Sequence, residues 1–164
     1  MSWVKKILIK ANSYRSALWL ALFMLLVWYV FVGHTYSFVR VWGNSMYPSY
    51  HNGESLIVER TKNDWQPQKN DIIIFDDGGW PSGMCKRIIG LEGDHIEFGS
   101  GVIKINHEPL LDQIDTQIRR KKYNYVRETV VTVPKGFVWV IGDNREDSWY
   151  GLVKIKEITG KVII

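Results

Sequence analysis

Ser45 and Lys86 are the two side chains of this sequence best suited to joint chemistry: a hydroxyl that could attack a carbonyl and an amine that could take its proton. Ser45 stands in "GNSMYPSY" (43–50), between Gly43 and Pro48. A serine hydroxyl is a poor nucleophile at neutral pH, so such a role requires a histidine, a neutral lysine or an N-terminal amine at hand. The histidines are His34, His51, His95 and His107. His34 closes a long apolar run and His107 falls in a hairpin turn, while neither His51 nor His95 has the setting of a triad base with its orienting carboxylate. Lys86 lies in "MCKRIIGL" (84–91), where alternation turns Lys86, Ile88 and Gly90 to one face of a strand and Cys85, Arg87 and Ile89 to the other. If the Lys86 face is the buried one, desolvation disfavours its ammonium. Lowering a lysine from ~10.4 to a useful 7 or 8 takes about 3 units, roughly 4 kcal/mol, which burial can supply. The same residue types also suit plainer roles, a turn serine near a proline and a surface lysine whose stem covers apolar neighbours.

Short strands must position these groups. Beyond residue 37 the chain reads as β-rich runs, "ESLIVER", "NDIIIFDD", "MCKRIIGL", "DHIEF", "GVIKINHEP", "ETVVTVPKG" and "FVWVIGDN". Gly53, Gly78-Gly79, Gly93-Asp94, Gly99-Ser100-Gly101 and Pro134-Lys135-Gly136 punctuate them, no helical period is sustained between them, and no internal repeat is visible. The fold class predicted is mostly β and antiparallel, with one helix before it.

That helix is "ALWLALFMLLVWYVFVG", Ala17 to Gly33, free of charge and proline and roughly 25 Å long at ~1.5 Å per residue. Trp19 near one end and Trp28, Tyr29 and Tyr36 near the other suit the two membrane interfaces. The formal net charge of +4 is matched by Lys5, Lys6, Lys10 and Arg15, which precede the apolar run with no acid among them. This asymmetry predicts a cytoplasmic N-terminus and a retained single anchor, because a cleaved leader has a shorter apolar core and small residues at its cut. The rest of the chain balances its charges, which argues against nucleic acid as a partner. Arg119, Arg120, Lys121 and Lys122 beside Tyr123 and Tyr125 form a basic stretch that suits a solvated loop or a lipid headgroup contact. Cys85 is the only cysteine, and the scattered histidines lack the paired spacing of zinc ligands, so neither a metal nor another cofactor is expected.

Four segments taken in order resemble the sequence boxes of type I signal peptidases: "GNSMYPSY" the S-M-x-P-T box, "NDIIIF" the G-D-I-V-V-F strand, "CKRIIGLEGD" the K-R-I-x-G-x-P-G-D box, and "VPKGFVWVIGDNREDS" the V-P-x-G-x-x-x-x-x-G-D-N-x-x-x-S box. The resemblance implies a membrane-bound serine endopeptidase that removes N-terminal signal peptides from exported preproteins. It would carry a signal-peptidase-like antiparallel β catalytic domain with a small accessory β-subdomain. Carried across by residue, Ser45 would be the nucleophile and Lys86 the general base. Ser148 would orient the lysine amine, Asp143 and Asn144 would support it, and Val41, Met46, Tyr50, Met84 and Cys85 would line the substrate pocket. The expected division is a basic cytoplasmic segment 1–16, an anchor 17–33 and a catalytic domain 37–164 with an accessory insertion at about 95–126. Its partners would be signal-peptide-bearing preproteins and the lipid bilayer of the cytoplasmic membrane, with the catalytic domain on the outer face. The family prefers small residues at the first and third positions before the cut.

Three positions depart from the pattern. Gly43 replaces a serine whose hydroxyl helps many relatives bind the oxyanion, Glu92 stands where proline is usual, and "SWYG" (148–151) lacks the aspartate-serine-arginine element before the tyrosine. Two alternatives accommodate a divergent member: a dedicated maturation peptidase for a pilin-like or secretion substrate, and a catalytically silent membrane-anchored β-module.

Overall fold

The computed structural model describes residues 2–62, 64–76, 78–79, 83–99, 102–110, 129–145 and 148–163. The chain divides into two compact units, Met1–Ser37 and Phe38–Ile164. The first is dominated by a single helix, α1 (Ser2–Thr35). Its Tyr14–Thr35 part has a mean hydropathy of 2.1 and is long and apolar enough to cross a membrane. The helix is longer than the predicted apolar run because nothing in residues 2–16 breaks it: there is no proline or glycine there. Trp19, Phe23 and Leu25 are exposed along it.

The second unit is built of strands: β1 (Tyr36–Arg40, which starts in the first unit), β2 (Ser55–Arg60), β3 (Ile72–Phe75), β4 (Met84–Gly90), β5 (His95–Gly99), β6 (Val102–Ile105), β7 (Glu108–Pro109), β8 (Thr129–Thr132), β9 (Phe137–Ile141), β10 (Tyr150–Lys154) and β11 (Ile158–Val162). One sheet has the order β1-β2-β11-β3-β4-β9-β10 and the other β7-β6-β5-β8. Every pairing that carries a register is antiparallel. The smaller sheet is formed by strands between His95 and Thr132, and residues 111–128, with the basic stretch at 119–122, lie outside the described residues.

Alternation decides which side chains meet. On β3, Ile73 and Phe75 join Ile88, Val138, Val140 and Val153 in one core, while Ile72 and Ile74 face a second core with Val41, Leu56, Val58 and Val162. On β9 the same period sends Val138 and Val140 into the first core and Trp139 and Ile141 into a third, where Ile89, Ile96, Ile103 and Val133 tie the small sheet to the large one. Central strands buried on both faces read as continuous apolar runs, which is why "DIIIF" and "FVWVI" stand out in the sequence. The β6–β7 hairpin turns on Asn106 and His107, both with positive φ (54° and 71°), as a two-residue turn of the right twist for a hairpin requires.

Three strands escaped the sequence reading: β1, β10 and β11. The last inserts between β2 and β3, some hundred residues away in the chain, with Gly160 paired to both Arg60 and Ile74. A side chain at 160 would meet Val58 Cγ1 and the Glu59 carbonyl, so the close approach of β11 to β2 requires glycine there.

Candidate active site

The nucleophile candidate sits on a turn between β1 and β2. Val41 N–H donates to the Glu54 carbonyl and Gly53 N–H to the Val41 carbonyl, both at 2.8 Å, which continues the pairing of the two chain segments beyond their strands. From there the backbone passes through Gly43 at φ +82°, a conformation that L side chains rarely adopt, and Gly43 N–H donates to Asn52 Oδ1 at 2.9 Å. Tyr47 N–H closes onto the Asn44 carbonyl at 3.1 Å and Tyr50 N–H onto the Met46 carbonyl at 2.9 Å, so Ser45 heads a tight turn that contains the cis Tyr47-Pro48 peptide. Among the described residues, Ser45 N–H donates to no protein acceptor.

β4 brings Lys86 to it. The Lys86 side chain is on the same strand face as Ile88, which packs in the first core, and the residue is 3% exposed. Its Nζ donates to Ser45 Oγ at 2.8 Å and to the Cys85 carbonyl at 3.1 Å. Burial pulls the ammonium below a lysine's ordinary range, with Cys85 and Asp143 opposing this less strongly. The neighbouring Cys85 thiol is pushed up to about 12, chiefly by burial, so it is a neutral, weakly reactive wall at physiological pH.

The β9–β10 connection supports the turn from behind. Asn144 N–H donates to the Ser45 carbonyl at 2.9 Å and Asn144 Nδ2 to the Asn44 carbonyl at 3.1 Å, so one residue holds the peptide groups on both sides of Ser45. Asp143 is fully buried and takes a bidentate pair from Arg87, Nε to Oδ1 at 2.8 Å and Nη2 to Oδ2 at 2.6 Å. Arg87 also reaches the Asn70 carbonyl at 3.0 Å. Ser148 differs from expectation: its hydroxyl donates to the Trp149 carbonyl at 3.1 Å and makes no bond to Lys86 Nζ. A local carbonyl next in sequence competes for its single proton, the usual habit of serine outside regular structure.

An apolar groove of about 580 Å³ runs past Ser45 and Lys86. Val41, Met46, Met84 and Cys85 line it; Tyr50 is not among its lining residues and packs, half-buried, against Val41, Leu56 and Ile74. Burial there raises the Tyr50 phenol above its ordinary range. Sequence reasoning missed Arg40, Asn52 and Trp149 on the walls and Arg87 beneath. Arg87 had a signal, since a charged residue beside Lys86 in an apolar strand needs a buried counter-charge; the wall residues had none.

The match to a protein-family model now carries weight. The description of that family is signal peptidase, peptidase S26, and residues 12–164 match it. The chain belongs to the signal peptidase family. Among relatives in this family, the chain is 35% identical over 134 residues to the signal peptidase I of Bacillus caldolyticus, with 73% of each chain covered. It is 32% identical over 129 residues to that of Bacillus amyloliquefaciens, covering 72% of this chain and 67% of the relative. A crystal structure of a signal peptidase I from Enterococcus faecalis superposes with a TM-score of 0.51 at 30% identity, covering 60% of this chain and 98% of that one.

The buried pair under this signal peptidase fold yields an expected result. In Asp143→Ala, Arg87 keeps its largely buried guanidinium but loses the carboxylate, and breaking a buried pair on one side costs about 3–5 kcal/mol. Urea unfolding of the variant should show a loss of that order, and a loss below ~1 kcal/mol would mean that Arg87 is solvated in another way.

Proposed function

We propose that this chain is a membrane-anchored serine endopeptidase that removes signal peptides from exported preproteins with Ser45 as nucleophile and Lys86 as general base. The observation that carries this is the 2.8 Å bond between Lys86 Nζ and Ser45 Oγ at the floor of an open apolar groove. A neutral amine at that distance takes the hydroxyl proton as Oγ attacks the scissile carbonyl. The Ser45 N–H, which has no acceptor among the described residues, faces the oxyanion that forms; Gly43 N–H is engaged by Asn52 and does not contribute. The resulting lysine ammonium then protonates the leaving amine, and the neutral amine activates the water that releases the acyl group. Asn144 and, through Arg87, Asp143 keep the turn in register with β4. Substrate lies extended in the groove with its apolar signal segment before the cut.

Lys5, Lys6, Lys10 and Arg15, which precede the uncharged run from Ala17, orient α1 with its N-terminus in the cytoplasm and the β unit on the outer face of the cytoplasmic membrane. Membrane-held preproteins then meet the groove on the side to which they are exported.

Cleavage of a generic preprotein bearing an Ala-x-Ala site by the full chain in detergent tests the reading. Ser45→Ala should lower kcat/KM by about 10⁴-fold or more, as loss of a nucleophile does elsewhere. Cleavage that persists in Ser45→Ala would remove Ser45 from the mechanism, and the absence of cleavage by the unaltered chain would favour a dedicated substrate.

A further inference from the structure

A second cleft, of about 740 Å³, opens away from Ser45. β9 and β10 place it. Ile141, paired with Tyr150, leads into the connection that holds Ser45, whereas Phe137, paired with Lys154, lies on the wall of this cleft. Four steps of strand, roughly 13 Å, separate the two ends of β9, so the cleavage proposed above makes no use of it.

Three segments distant in sequence build the cleft. Lys62 and Trp65 come from the loop after β2, Gly136 and Phe137 from the turn into β9, and Lys154, Ile155 and Lys156 from the connection between β10 and β11. Backbone bonds fix these segments to one another. Thr61 N–H donates to the Thr159 carbonyl at 3.2 Å, Thr61 Oγ1 to the Ile158 carbonyl at 2.6 Å, and Ile155 N–H to the Gly136 carbonyl at 3.0 Å. The floor is apolar: Ile158 is buried, while Trp65 and Ile155 pack half-buried against the first core. The rim is basic. Lys62, Lys154 and Lys156 are exposed, and no Asp or Glu lines the cleft. The acids beside it are already engaged, Glu157 with Lys154 Nζ at 3.0 Å and Glu92 with Gly136 N–H at 3.3 Å. Lys62 and Lys156 have no carboxylate partner among the described residues.

Positive charge around a recessed apolar floor selects a ligand that carries carboxylates beside an apolar group. A bilayer is met by aromatic side chains that project from a surface, but here Trp65 and Phe137 are half-buried in a concavity, which takes a projecting side chain instead. We propose that this cleft docks an acidic peptide segment of a partner protein, with one apolar or aromatic side chain seated beside Trp65 and Phe137 and the flanking Asp or Glu carboxylates on Lys62, Lys154 and Lys156. The docking surface is separate from the Ser45 site and does not depend on the endopeptidase reading.

The test titrates the full chain, in an uncharged detergent, into a short fluorescent peptide with one phenylalanine flanked by glutamates, read by anisotropy. The peptide should bind with a Kd below about 1 mM, and binding should weaken as salt approaches ~1 M. Serine in place of the peptide's phenylalanine should cost about 10-fold in affinity. Lys62→Glu combined with Lys156→Glu should weaken binding by about 10-fold or more while preprotein cleavage stays within about twofold of the unaltered chain. That double variant should bind a peptide with lysines in place of the glutamates more tightly than the unaltered chain does, a gain that a damaged fold cannot produce. No binding by the unaltered chain, an affinity unchanged in the double variant, or failure of the charge exchange would each overturn the proposal. Displacement of the peptide by water-soluble short-chain phosphatidylglycerol at a lower concentration than by unlabelled peptide would make the cleft a lipid headgroup site and would overturn it too.

Discussion

With methionine in place of Lys86, preprotein cleavage should fall by about 10⁴-fold or more while the folded protein should become more stable at neutral pH. The two effects share one cause. Lys86 is 3% exposed and its ammonium is held below the ordinary lysine range chiefly by burial, so the folded chain is penalised for carrying the charge that the unfolded chain carries freely. Between the lowered folded value and ~10.4 the unfolded state binds more protons than the folded one, so stability rises with pH through that window. Below the window the full penalty applies, and above it none does. Methionine has nearly the same length and no charge, so the gain in Tm over the unaltered chain should be largest at neutral and lower pH and should close as pH approaches ~10.4. Under the proposed mechanism, in which only neutral Lys86 accepts the Ser45 proton, activity of the unaltered enzyme should rise with pH on a limb whose midpoint lies below ~10.4. Thermal unfolding monitored by circular dichroism across pH, beside the pH profile of kcat/KM, checks both. A stability gap that widens with pH would contradict a buried ammonium, and retained cleavage would end the role of Lys86 as base.

Gly142→Ala should lower kcat/KM by about 10²- to 10³-fold while leaving a folded protein. The backbone at 142 is not in the left-handed region, so the penalty comes from space alone. A methyl group there would overlap Ser148 Oγ and the Ser45 carbonyl oxygen and come within 2.7 Å of Ser148 Cβ. Arg145 Nε is also bound to the Gly142 carbonyl at 3.0 Å, which resists backbone movement on the other side. The part expected to yield is the Ser45 turn, where, with Ser45 as the proposed nucleophile, a displacement of about 1 Å is worth about 10²-fold in rate. Crowding of this kind costs typically ~1–3 kcal/mol of stability, too little to explain such a loss of rate by unfolding. Steady-state kinetics beside a urea titration separates the two quantities; activity within about threefold of the unaltered enzyme would show that the turn does not bear on Gly142.

The two predictions differ in how far their grounds were visible in the chain. Lys86 was conspicuous because a charge interrupts "IIG"-type alternation, and period-2 patterning is local chemistry that a linear sequence records. Gly142 carries no such signal, because nothing near it in sequence reveals that residue 45 will pack against it. The same divide separates β3, β4 and β9, legible as apolar runs, from β11, whose place between β2 and β3 depends on pairing across some hundred residues.

By itself the sequence determined an apolar helix, a β unit cut by glycine turns, and a serine and a lysine in segments that resemble known boxes, since each of these rests on residue type and short-range period. Tertiary structure alone decided that Lys86 Nζ comes within 2.8 Å of Ser45 Oγ, that Asp143 answers Arg87, that Tyr50 packs against the core and that Trp149 reaches the groove. Such meetings depend on sheet order and register, which are fixed by which distant apolar faces bury one another, and that competition is settled only when the whole chain is folded.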